Sequence, residues 1–337
     1  MTTPERAPRN KTLTLTDTER RRLALVLDAM QPSTQETHHL QGPAPAGAEE
    51  AETAHENAPL ERLAPEHLYD RILNHDLFCL LPRLPAGFAD LVIIDPPYNL
   101  DKDFHGSRFR AMKGEDYAGW LAGWLPGVLA CAKEGASVYL CGDWKCSGAF
   151  EAELAKHAVI RNRITWQREK GRGAARNWKN CSEDIWFATI GEGYHFDVEA
   201  VMQRRRVLAP YRQDGLPKDW QEEAEGRFRL THPSNLWDDI TVPYWSMSEN
   251  TDHPTQKPEK LIAKLILASS RPGDLVFDPF AGSGTTAVTA RKLGRRFCTV
   301  EQNREYCLWA LKRLELAEAD RSIQGYKNGV FLGRNAE

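Results

Sequence analysis

The sequence predicts an α/β chain: a doubly wound, mostly parallel sheet interrupted by an irregular inserted region. Three observations predict it. From Leu68 onward, short apolar segments alternate with segments of helical spacing, punctuated by Gly, Pro, Asn and Asp. ADLVIID (89–95) carries a continuous apolar run, as parallel strands do when both faces are covered. VFDPFAGSGTTAV (276–288) reads as a strand, a tight glycine loop and the start of a helix.

Taken in order, residues 1–60 read as an N-terminal extension. TLTLTDTERRRLALVLDAM offers Thr16 or Asp17 as a cap, then apolar residues at helical spacing (Leu23, Val26, Leu27, Met30). The Ala-, Pro-, Gly- and Glu-rich QGPAPAGAEEAETAHENAP that follows cannot bury much apolar area and reads as a mobile linker. The main domain spans 61–320. LYDRILNHD reads as a strand, LFCLLPRLPAGF as a short helix and turn, and ADLVIID as the next strand. EDYAGWLAGWLPGVLACAK reads as a helix with Trp120, Leu121, Trp124, Leu125 and Leu129 on one side. SVYLCGD, ITWQ and EDIWFATI read as strands. Residues 197–250, polar and broken by Pro210, Pro217, Pro233 and Pro243, read as an inserted recognition lobe of loops rather than core. PEKLIAKLILASS is a helix with Pro258 at its first turn, DLVFDPF a strand, TTAVTARKLG a helix closed by Gly294, RRFCTVE a strand and NREYCLWALKRLELA an amphipathic helix. Residues 321–337 read as a C-terminal tail.

Composition bounds the function classes. No apolar run approaches the roughly 20 residues of a membrane span, and MTTPERAPRNKTLTL lacks the apolar core of a secretion signal. Seven cysteines, odd in number and without close pairing, suit reduced cytosolic thiols. No CxxC pair or HExxH helix suggests a metal site. The net charge of −3 hides local asymmetry. RNRITWQREKGRGAARNWKN (161–180) is strongly basic and holds two tryptophans, and Arg204, Arg205 and Arg206 form a second basic cluster. Such patches on a near-neutral chain suit an anionic partner met on one face; ordinary solvated surface is the alternative.

The glycine loop carries the first chemical signal. Gly282 and Gly284 let the backbone approach a ligand, and free N–H groups at the helix start favour an anionic group. Glu301 ends the next strand, 17 residues after Gly284, where a carboxylate can accept from a ribose diol. The spacing fits neither GxxxxGK[ST] nor the full GxGxxG, since Ala287 stands at the third glycine's place. A cofactor with a single nucleoside is therefore expected over a dinucleotide.

Three motifs then occur together: DPPY (Asp95, Pro96, Pro97, Tyr98), HPTQKP (253–258) and DPFAGSG (278–284). Their set and order resemble the β class of S-adenosylmethionine-dependent adenine-N6 DNA methyltransferases, over about residues 68–316. The resemblance implies a Rossmann-like sheet of the class I methyltransferase type, with S-adenosylmethionine as cofactor and double-stranded DNA as substrate. It also implies a homodimer and a cognate restriction endonuclease as partners to test. Within it, Asp76 is placed to contact the cofactor's adenine amino group, and Thr255 and Lys257 to line its methionine end. Asp95, Asp278, Phe280, Ala281, Gly282, Ser283, Gly284, Thr285, Glu301 and Gln302 complete the expected cofactor set.

The chemistry of an exocyclic amine agrees. Its lone pair is delocalised into the ring, so attack on a methyl sulfonium requires the nitrogen to pyramidalise. Two acceptors aimed at its two N–H groups favour that geometry and the charge that develops. The Asp95 carboxylate can be one and the Pro96 carbonyl the other, held by a stiff turn. Tyr98 offers a ring to stack on the base. Transfer is then direct and in-line, with Asp95 or water taking the N6 proton afterwards. A base within a duplex must flip out to reach such a pocket. Arg172, Arg176 and Lys179 are candidates for phosphate contact and Trp178 for an aromatic contact, with Trp186 or Phe187 walling the base pocket.

Rival targets are another amine (cytosine N4, RNA adenine or a glutamine amide). Cytosine-N4 enzymes usually carry Ser in place of Asp95, RNA enzymes Trp in place of Tyr98, and glutamine enzymes Asn before the prolines. Cytosine-C5 chemistry needs a Pro-Cys pair, which this chain lacks. A catalytically silent DNA-binding subunit would be expected to lose DPPY or the glycine loop, and both are intact.

Overall fold

The computed structural model describes residues 10–32, 62–104, 107–168, 175–208, 211–334 and 336. In chain order they form α1 (Asp17–Met30), β1 (Arg71–Leu73), α2 (Leu77–Leu80), β2 (Ala89–Ile94), the hairpin β3 (Lys102–Phe104) and β4 (Ser107–Phe109), α3 (Gly114–Ala122), α4 (Leu125–Ala130), β5 (Ala132–Gly142), α5 (Trp144–Leu154), β6 (Val159–Gln167) and β7 (Ser182–Thr189). The inserted region supplies β8 (Gln203–Arg206), β9 (Arg212–Gln213), β10 (Leu216–Pro217), β11 (Gln221–Glu223), β12 (Gly226–Thr231) and β13 (Leu236–Trp237). The chain ends with α6 (Glu259–Ser269), β14 (Leu275–Asp278), α7 (Thr285–Lys292), β15 (Arg296–Val300), α8 (Arg304–Ala319), β16 (Tyr326–Lys327) and β17 (Val330–Leu332).

The central sheet has eight strands in the order β1-β15-β14-β2-β5-β7-β6-β13. The five strands from β1 to β5 are parallel, and β7 runs against both β5 and β6. Two apolar layers cover it. One face holds Leu91, Ile93, Tyr139 and Ile185 under α1, α6 and α8. The other holds Val92, Ile94, Val138 and Leu140 under α2, α3, α4 and α5. This double covering is why the strands read as unbroken apolar runs. From β2 the chain moves on towards β5, whereas from β14 it moves towards β15. The carboxyl ends of β2 and β14, neighbours in the sheet, therefore flank a topological switch point, where doubly wound sheets open a crevice.

The ends of the chain differ from their expected roles. Residues 10–32 are part of the body. Leu23 and Leu27 are fully buried against α8, and Gln31 bridges to β1 through Ile72 and Asn74. Ion pairs Arg20–Glu305, Lys312–Glu19 and Arg304–Asp28 fix the register. Leu23, Leu27 and Met30 are the stripe that does the packing, but their apolar spacing does not name the surface they cover. The linker expected before residue 61 lies outside the described residues. Residues 197–250 are not only loops: β8, β11 and β12 form a second sheet with β16 and β17 of the expected tail, and β13 joins the central sheet. Their strands are two to six residues long and rich in Arg and Glu, so the alternation that marks a strand is missing. The second sheet packs on α6 through Val201, Ala263, Leu267 and Phe331. No helix among the described residues is long and apolar enough to cross a membrane.

Candidate active site

A cavity of about 430 Å³ opens at the switch point, lined by all three sequence motifs. Side chains alternate along β2: Leu91 and Ile93 lie on the α6 face, so Asp95 continues that face as the strand ends. Lys257 arrives from the segment leading into α6. Its ammonium donates to both oxygens of Asp95, at 2.8 Å to Oδ1 and 2.7 Å to Oδ2. It also donates to the Tyr98 hydroxyl at 2.9 Å. That hydroxyl lies 2.9 Å from Asp95 Oδ1 and 3.0 Å from Glu183 Oε2, with one proton to serve both carboxylates. Glu183 in turn pairs with Arg168 and lies 3.3 Å from the Lys257 ammonium.

Charge in this cluster is finely balanced. Burial raises the Asp95 pKa above the usual carboxylate range; Lys257 opposes that rise and Glu183 adds to it. Burial disfavours the Lys257 ammonium, yet the Asp95 and Glu183 carboxylates hold its pKa above the ordinary lysine range. Burial, then Asp95 and Glu183, push the Tyr98 phenol well up, so it stays protonated. The DPPY turn is braced from outside: Tyr117 donates to the Pro97 carbonyl at 3.1 Å, and Asn99 exchanges hydrogen bonds with the Met112 backbone.

The other half of the cavity is the glycine loop. Gly282 and Gly284 adopt φ of +52° and +78°. A Cβ on Gly284 would stand 2.3 Å from the Ala310 Cβ, so this glycine lets α7 seat against α8. A Cβ on Gly282 would meet the His253 ring at 2.9 Å. Beneath the loop, buried Arg313 donates to the Ser283 carbonyl and the Thr285 hydroxyl, and Thr285 donates to the Lys257 carbonyl at 3.0 Å. The loop and the Lys257 segment are thus one unit. Glu301 accepts from Gly282 N–H at 2.9 Å and from Asn303 N–H at 2.7 Å. Burial pushes the Asp278 and Glu301 carboxyls up to about 7.

Of the residues expected from sequence, Asp76, Asp95, Pro96, Pro97, Tyr98, Thr255, Lys257, Asp278, Phe280, Ala281, Gly282, Ser283, Thr285, Glu301 and Gln302 line this one cavity. Gly284 lies behind it. Asp76 also caps α2, accepting from Phe78 N–H at 2.8 Å. Lys257, expected to line the cofactor's methionine end, lines the cavity with its ammonium on the Asp95 carboxylate. Trp178 is 93% exposed, and Arg176 and Lys179 are exposed beside it. Arg172 lies outside the described residues. Trp186 is a correction. It is buried, donates from Nε1 to Ser147 of α5, and is not among the residues that line the cavity. Period two on β7 places Trp186 and Asp184 on the α5 face, opposite Glu183 and Ile185. Sequence reasoning missed Arg168, Phe78, Trp120 and Tyr306 as cavity residues, and Glu183 as a partner of Lys257; His253 came only as the first residue of the HPTQKP motif. A charge opening an apolar strand is a usable signal for Glu183, but its site depends on β7 running antiparallel.

The DNA methylase family model matches residues 89–312. The DNA adenine methyltransferase YhdJ of Escherichia coli K12 is 34% identical over 253 residues, 73% of this chain and 83% of its own. The type II methyltransferase M.HpaI of Haemophilus parainfluenzae is 30% identical over 250 residues, 73% and 74% of the two chains. Among solved structures, the cytosine-N4-specific PvuII DNA methyltransferase superposes with a TM-score of 0.55 at 18% identity, covering 72% of this chain and 85% of its own. TTHA0409 of Thermus thermophilus, complexed with S-adenosyl-L-methionine, does so with 0.50 at 18% identity, covering 79% and 99%. The fold is that of the class I methyltransferases. With a mixed, mostly parallel sheet, a switch-point cavity holding both motif sets, and a family match across most of the catalytic body, the chain belongs to the DNA methylase family.

Proposed function

We propose that the protein is a β-class enzyme that methylates N6 of a flipped adenine in DNA, with S-adenosylmethionine as the donor. One observation carries the reading: the Asp95 carboxylate and the Tyr98 ring open into the same cavity as the glycine loop and Glu301. The residues present fit the donor. The cavity lies within the volume range of small-molecule sites. Asp76, Asp95, Asp278 and Glu301 line it against Arg168 and Lys257, a balance that suits a ligand carrying positive charge. Phe78, Phe280 and Trp120 supply aromatic surface, and Phe280 is itself held edge-on by Trp124 at 5.1 Å. When bound, S-adenosylmethionine supplies an electrophilic methyl on a sulfonium.

The chain's own residues do the rest. Glu301 holds a ribose diol, and Asp76 and the loop around Phe280 hold the nucleoside. Asp95 accepts one N6 hydrogen and the Pro96 carbonyl the other, so the lone pair turns out of the ring plane. Tyr98 stacks on the base. After transfer, Asp95 or water takes the N6 proton. Trp178 with Arg176 and Lys179 forms an exposed, basic, aromatic face for the displaced duplex. The adenine reading is supported by aspartate before the prolines and by the named activity of the 34% identical relative. Calorimetric titration with S-adenosylmethionine tests the cofactor half directly: a saturable one-to-one isotherm is expected, and no heat at high protein concentration would remove the enzyme reading.

A further inference from the structure

Glu183 lies behind Asp95 with no part in the mechanism above. Its place is unusual. It is a 4% exposed carboxylate on β7, facing the same ammonium that both oxygens of Asp95 already hold. A carboxylate offers about four lone-pair positions. On Asp95, Lys257 takes one on each oxygen, and the Tyr98 hydroxyl, whose one proton also faces Glu183, covers the second on Oδ1. One position is left, on Oδ2, for an incoming amine. A full ion pair with Lys257 would also cancel the negative charge that the developing positive charge on N6 needs.

Resting on the reading of Asp95 as the amine's acceptor, we infer that Glu183 is a positioning residue for the transfer: by sharing the Lys257 ammonium, it leaves a net negative charge on the Asp95 Oδ2 that receives the amine. Within the buried trio of Asp95, Glu183 and Lys257, two carboxylates face one ammonium. Arg168, a third exposed, holds Glu183 from the solvent side and orients it; solvent screens it, so it offsets the remaining negative charge only in part. Substituting Glu183 by Gln brings the trio to neutral. Substituting Lys257 as well restores the single negative charge on Asp95.

The test is a double-mutant cycle read as single-turnover methyl transfer to duplex DNA at saturating S-adenosylmethionine. Glu183→Gln slows transfer by at least about tenfold, while the calorimetric Kd for S-adenosylmethionine stays within about threefold of wild type. Glu183→Gln/Lys257→Met is faster than Glu183→Gln alone. A purely structural Glu183 would make the double variant equal or slower, and that result overturns the inference. So does a wild-type rate in Glu183→Gln. The acidic limb of the rate profile gives a second arm that does not need the Glu183→Gln single variant: Glu183 raises the Asp95 pKa, so the limb lies at higher pH in Lys257→Met than in Glu183→Gln/Lys257→Met. Equal limbs overturn the inference. A wild-type protein that transfers no methyl to DNA refutes the proposed function instead, which keeps the two failures apart.

Discussion

The proposed transfer concentrates on Asp95, and its removal gives the sharpest single-residue outcome. Asp95→Ala lowers single-turnover methyl transfer by on the order of a hundred- to a thousandfold, as loss of a preorganised transition-state interaction does. Cofactor binding by calorimetry remains measurable, because Glu301 and the glycine loop are untouched. Near wild-type transfer in that variant would remove Asp95 from its assigned role. Asp278 and Glu301 give a second outcome. Both carboxyls are held up to about 7, first by burial, from ordinary values of 3.8 and 4.5. A raised folded-state pKa contributes stability that is fully present below the unfolded value and lost as pH rises through the folded value. The ligand-free protein therefore loses melting temperature between about pH 4 and about pH 7 from these groups. Glu301→Gln shrinks that loss; an unchanged loss in the variant would show that Glu301 does not titrate in this window. The convergence of the DPPY and glycine-loop residues on one cavity was legible in the sequence because each motif closes a strand of the doubly wound sheet. Glu183 was not, because a strand's direction is a tertiary property. Trp186 misled because an aromatic on a strand can face either layer, and only the register decides.

Among the elements, the unit of strand, glycine loop and helix was legible because each step has a steric cause. Gly284→Ala should cost about 1–3 kcal/mol for the left-handed backbone and a similar amount for crowding Ala310, measured by urea unfolding. Gly294 also has positive φ, at +74°, but open space around it. Gly294→Ala should therefore cost only the backbone part, about 1–2 kcal/mol. Equal costs at the two sites would contradict the packing role of Gly284. The helical spacing of residues 115–133 was legible too, although the chain breaks there into α3 and α4 with Pro126 at the second helix's start. The packing of α1 was not legible, since two leucines among charges do not name the surface they will cover. Leu27→Ala should destabilise the whole body by about 2–5 kcal/mol, because the cavity it leaves lies between α1 and the central sheet. A change below about 0.5 kcal/mol would make α1 a dispensable appendage after all.

At the scale of the molecule, the sheet places Asp95, the glycine loop and the segment around Trp178 at the carboxyl end of its parallel strands. The doubly wound sheet followed from alternation along the chain, whereas the second sheet did not, because its short charged strands are completed by residues 326–332 from the far end. The exposed face beside Trp178 yields a binding prediction. Arg176→Gln/Lys179→Gln should weaken duplex binding and flatten its dependence on log salt by about 0.9 for each phosphate that the variant leaves unneutralised. An unchanged slope would place DNA elsewhere. The modified base is the most direct readout of the proposed activity. Expressing the protein in a methylation-free host and sequencing the DNA with modification-sensitive detection, alongside the Asp95→Ala variant, reads that product. N6-methyladenine at one recurring sequence, absent with the variant, is the expected result; N4-methylcytosine, or no modified base with a folded and cofactor-binding protein, would contradict it.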